Sequence, residues 1–126
     1  MKDTASFTNF MLANPKFVKP EVGMDVTELM WTDRCAWRVT EVDKDGKGCT
    51  LTRYKAKFVG DGYGDERYEF EDENGKPLLH NGWTMKIRYK YKSWRAMKGY
   101  IGYEGNKGVK INLAFNCRDE YRDPSL

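Results

Sequence analysis

Alternating apolar and polar residues, Asp-Gly and Asn-Gly turn signals and regularly scattered glycines predict an all-β fold. The expected architecture is a small antiparallel SH3-like or OB-like barrel, or a rolled sheet, of about five to six strands with a short N-terminal arm or helix. The clearest alternation is Trp83-Thr84-Met85-Lys86-Ile87-Arg88-Tyr89-Lys90-Tyr91-Lys92, apolar or aromatic at odd positions and polar, mostly cationic, at even ones. That period of two marks a half-buried strand.

The other elements follow in chain order. Residues 1–20 read as an arm, because Asn14-Pro15 and Lys19-Pro20 interrupt regular structure. Asp3 to Ala13 fits a short helix capped by Asp3 or Thr4. The arm's Phe7, Phe10, Met11, Leu12, Phe17 and Val18 are too apolar for a solvated tail and would dock on the body or on another subunit. A single β domain follows over 21–126. Cys35 to Val42 opens a hairpin, and its apolar phase shifts between Val39 and Val42, the mark of a bulge or strand end. Asp43 to Gly48 is its turn, and Cys49 to Lys57 its return strand. Gly60 to Asp65 is a glycine-rich loop, Arg67 to Glu71 a short alternating strand, and Glu73 to Pro77 a turn. After the Trp83 strand, Gly99, Gly102, Gly105 and Gly108 punctuate the chain before Val109 to Phe115 alternates again.

Composition sets the class. The chain has 126 residues, enough for one core. Its 4 Trp, 8 Tyr and 6 Phe argue for a folded domain, since disordered chains lack the apolar surface to offset ordering entropy. No apolar run is long enough to span a membrane, and the start, Met1 to Ser6, has no apolar core of a secretory signal. A cytoplasmic location is expected, and Cys35, Cys49 and Cys117 agree with a reducing compartment. Their spacing matches no common zinc motif, and Asp61 and Asp65 lack the acidic ladder of a calcium loop. His80 is the only histidine and reads as a turn residue, so a hydrolase with a histidine base finds little support. No cofactor, metal or enzymatic activity is expected.

Charge is distributed unevenly. Residues 61–82 hold 2 basic and 7 acidic residues, net −5, whereas residues 83–126 hold 10 and 4, net +6. The basic third would meet an anionic ligand, or pair with the acidic segment across neighbouring strands.

Two segments together resemble a known family. One is Gly23-Met24, Thr27 and Trp31-Thr32-Asp33-Arg34 with Ala36, Val39, Glu41 and Val42; the other is Arg118-Asp119-Glu120-Tyr121 with Asp123 and Ser125. Residues 21–126 thereby resemble a widespread family of small, largely uncharacterised bacteriophage and prophage proteins. In that family a TDR-x-A segment opens the domain and an RDxYxDxS segment closes the chain. This chain departs by carrying Cys35 where the family often has His. The resemblance implies a counter-defence protein, of the kind that sequesters host nucleotide immune signals, acting in the cytoplasm of an infected bacterium.

Six residues stand out as ligand-binding candidates: Trp31, Thr32, Arg34, Trp94, Arg95 and Arg118. Trp faces stack on bases, Arg forks onto phosphates, and a Thr hydroxyl adds a contact. The competing reading has Asp33 and Arg34 pairing with Arg118 and Asp119 to tie the two ends of the barrel. Lys86, Arg88, Lys90 and Lys92 form either a phosphate track or partners for Glu69, Glu71 and Glu73. The leading expectation is a non-enzymatic protein that sequesters a cyclic di- or oligonucleotide, as a homo-oligomer with the site between subunits. The alternatives are a small-barrel nucleic-acid binder and a protein-interaction inhibitor of a host factor.

Overall fold

The computed structural model describes residues 17–61, 67–98 and 108–121, and everything structural below concerns these. The proposed helix over Asp3 to Ala13 lies outside them. The described residues form an all-β structure with no helix. Its strands are β1 (Asp25–Leu29), β2 (Arg34–Val42), β3 (Gly48–Tyr54), β4 (Lys57–Phe58), β5 (Tyr68–Glu69), β6 (Leu79–Lys90), β7 (Ser93–Lys98), β8 (Val109–Lys110) and β9 (Leu113–Phe115). Seven make one antiparallel sheet in the order β8-β7-β6-β3-β2-β1-β9, and β4-β5 form a small second sheet.

The main sheet curls into a half-barrel. The segment from Val109 to Phe115 explains how its ends meet. β8 pairs with β7 at one edge, and β9 pairs with β1 at the other. Between them Ile111 donates its amide to Trp94 and the Asn112 carbonyl accepts from Leu29. One kinked stretch thus satisfies both edges, a solution to the exposed-edge problem. This is also why the stretch that alternates like one strand is two short ones.

The predicted hairpin is present, with its bulge between Val39 and Glu41. Gly48 faces Arg88 across the β3–β6 pair, and a Cβ there would stand 2.5 Å from Asp43 Oδ2 and 2.8 Å from the Ile87 carbonyl oxygen. The missing side chain lets Arg88 lie across β3 and grip Asp43 and Asp45 of the turn at 2.8 and 2.6 Å. The expected pairing of Lys86 and Arg88 with Glu69, Glu71 and Glu73 is therefore corrected: β6 lies between β3 and β7, while β5 pairs with β4.

The core holds Val26, Trp37, Val39, Leu51, Met85, Ile87, Trp94 and Phe115. At one end of the sheet Phe17 closes it, stacked on Trp94 at 5.8 Å and edge-on to Tyr89 at 5.2 Å. The last residues of the predicted arm thus pack on the body, and Pro20 is fully buried. At the other end the segment from Cys117 to Tyr121 straps β1 and β2. Thr27 Oγ1 donates to the Cys117 carbonyl at 2.7 Å and accepts from the Asp119 amide at 3.0 Å. Arg34 and Tyr121 exchange both backbone hydrogen bonds.

Candidate functional site

A groove of about 570 Å³ opens where β3 leaves the sheet. β3 pairs through Tyr54 with Leu79. The chain then turns outward through Lys55 and Ala56 into the β4–β5 sheet, held by a hydrogen bond from the Lys55 amide to the Leu78 carbonyl. One wall carries Lys55, Lys57, Phe58 and Tyr68, and the other His80 and Trp83 of β6; Arg53 and Glu120 also line it. Phe58 and Tyr68 pack edge to face at 5.6 Å. The His80 and Trp83 rings lie 5.1 Å apart.

Arg53 and Glu120 form a two-pronged ion pair at 2.7 and 2.8 Å, with side chains only 6% and 5% exposed. Glu120 Oε1 also accepts the Ala36 amide at 3.0 Å, and Arg53 donates to the Ala36 carbonyl at 3.1 Å. Burial opposes the Arg53 charge, but the Glu120 carboxylate outweighs it and holds the guanidinium above its ordinary pKa. Arg53 also lies over the Trp83 ring, 5.7 Å from its centre. Partial burial, then Lys55 and Arg53, push His80 below the usual 6.5 and so favour its neutral form. Lys55 and Lys57 are exposed at the rim, and Phe58 is 47% exposed. The groove therefore offers flat rings, exposed cations and a buried, hydrogen-bonded polar base. Stacking on an unsaturated ring and pairing with an anion are what such a set does. Among the described residues no three His, Cys, Asp or Glu side chains gather as a metal cluster.

None of the six sequence-derived candidates lines this groove. Trp31 is 100% exposed in the β1–β2 loop, and Thr32 Oγ1 donates to Asp33 Oδ1 at 3.3 Å. Arg34 pairs with Asp119 at 3.2 Å and lies over the Tyr121 ring at 5.1 Å. The register, with Trp37 opposite Arg53, puts this loop at the same end of the sheet as the groove. Arg118 pairs with Glu71 at 2.6 Å and lies over Phe70 at 4.7 Å, a strut between the C-terminal strap and the acidic hairpin. Trp94 requires correction. It is 2% exposed, with Phe17 and Phe115 packed around its ring, and it belongs to the core rather than to a ligand. Arg95 stands at the opposite end of the sheet, 5.4 Å from the Tyr91 ring centre.

The groove is not evident in the sequence because its lining comes from four separated stretches. The available signal was Lys55-Ala56-Lys57-Phe58, two cations and an aromatic just past a strand, together with His80 three residues before Trp83. No family model, curated protein or solved structure matches this chain.

Proposed function

We propose that the protein binds a nucleotide in this groove and sequesters it without transforming it. The observation that carries the reading is the convergence of Phe58, Tyr68 and Trp83 with Lys55 and Lys57 around one groove. A base would stack on the rings and its phosphate would pair with the lysines. The resemblance to phage proteins points to a cyclic di- or oligonucleotide immune signal of a bacterial host as the ligand. A ligand in an open groove keeps one side in water. A second copy of the chain closing over it would bury that side, which favours a homo-oligomeric sponge.

The test is titration calorimetry of the full chain against cyclic di- and trinucleotides, with Trp83→Ala as the site variant. One stacked base is worth about 1–3 kcal/mol by alanine substitution, so affinity should fall about 5- to 150-fold. Unchanged affinity in folded Trp83→Ala would remove the groove as the site.

A further inference from the structure

The opposite end of the sheet carries a different surface. β6, β7 and β8 are neighbours, and their register sets cations directly across from one another: Arg88 opposite Arg95, and Arg95 opposite Lys110. Directly opposed residues of antiparallel strands share a face, so these side chains stand on the outside of the sheet, away from Ile87 and Ala96 within it. Lys86 and Lys90, two positions either side of Arg88, extend the row along β6 at about 6.7 Å per pair of residues.

Like charges placed opposite each other destabilise a sheet, so the acids nearby matter. Arg88 is neutralised by Asp43 and Asp45. Glu41 lies beyond Thr50, two strands away from Lys86. Among the described residues Lys86, Lys90, Lys92, Arg95 and Lys110 make no ion pair. At the tip Tyr91 is 84% exposed, with the Arg95 guanidinium against it. The β6–β7 turn holds Tyr91 and Lys92 at φ of 52° and 60°, a left-handed pair that costs free energy for non-glycine residues. An uncompensated cation row and a strained turn that keeps a tyrosine in water are both unfavourable to the isolated fold.

We infer that this outer face of β6–β8 binds the phosphate backbone of single-stranded nucleic acid, with Tyr91 as a stacking platform for one base. The cations supply a track and the ring a base contact, the two parts of sequence-tolerant single-strand binding. A lipid surface fits less well, since Tyr91 is the one large apolar side chain exposed among the described residues of this face. The surface is independent of the groove, which lies at the other end of β6.

The experiment is fluorescence anisotropy of a labelled oligothymidylate about 16 nucleotides long with the full chain, over a salt series. Affinity should fall as salt rises, with log–log slope losing about 0.7 for each phosphate contact removed. Lys90→Glu with Arg95→Glu should weaken binding at least tenfold. Arg95→Gln is the control for folding: it should weaken binding while leaving the melting temperature equal or higher, because it relieves the opposed charges. Trp83→Ala should leave oligonucleotide affinity within about twofold, which separates this face from the groove. Oligonucleotide binding that is absent, or indifferent to the charge reversals, would overturn the inference. So would charge-dependent binding to phosphatidylserine vesicles without binding to the oligonucleotide.

Discussion

Arg53 and Glu120 connect stability to the site at the level of single residues. Both are buried, and each satisfies the other together with the backbone of Ala36. Removing one partner strands the other charge in a poorly hydrated place, which costs about 3–5 kcal/mol. Glu120→Ala should therefore lower unfolding free energy by about that amount in urea titrations, far more than truncating the exposed Lys57. His80 would report the charge of a ligand in the groove. It is held below 6.5 by partial burial and by Lys55 and Arg53. An anionic ligand in the groove would favour its protonated form, so binding takes up a proton. Affinity should rise as pH falls through the bound-state pKa and level off below the lower free-state value. His80→Ala should flatten that profile. A profile in the wild-type protein that is flat from pH 7.5 to pH 5.5 would count against an anion beside His80.

Turn chemistry at the β6–β7 connection gives an element-scale expectation. Two-residue hairpin loops with positive φ at both positions favour Asn-Gly, and this one uses Tyr91-Lys92. Replacing both, as Tyr91→Asn with Lys92→Gly, should raise stability by about 1 kcal/mol or more, seen as a higher melting temperature. Because the change also removes the Tyr91 ring from the outer face, it should weaken oligonucleotide binding. The period-two pattern that marks β6 made this strand legible, and it fails at Tyr91 because the chain turns there: Tyr91 is in water while Met85 and Ile87 are in the core. The bulge in β2 was equally readable from the phase shift. β1 was not, since Asp25-Val26-Thr27-Glu28-Leu29 owes its burial to its place between β2 and β9. Glu28 is buried there because it accepts the Trp37 indole hydrogen at 3.1 Å. A carboxylate with a tertiary partner cannot be told locally from one in water.

At the scale of the whole fold, the described residues form a curled sheet whose two ends differ in character. At one end Phe17 packs on Tyr89 and Trp94 and cations face outward; at the other the groove opens, with Glu120 of the C-terminal strap in its lining. The all-β class could be read from periodicity because alternation is a local property. The site could not, because Lys55, His80 and Glu120 meet only through the curl of the sheet. Trp94 shows the same limit: its neighbour Arg95 suggested a surface pair, yet strand alternation sends the two residues to opposite faces. Arg34 and Arg118 each carry an ion pair, to Asp119 and Glu71. Sequestration of an intact nucleotide is decided by recovering what the protein holds. The full chain is incubated with cyclic di- and trinucleotides, separated from free ligand, heated, and the released material identified by mass. Near-stoichiometric recovery of one intact nucleotide, lost in Trp83→Ala, is the predicted result. Recovery of a cleaved product, or of no nucleotide at all, would contradict it.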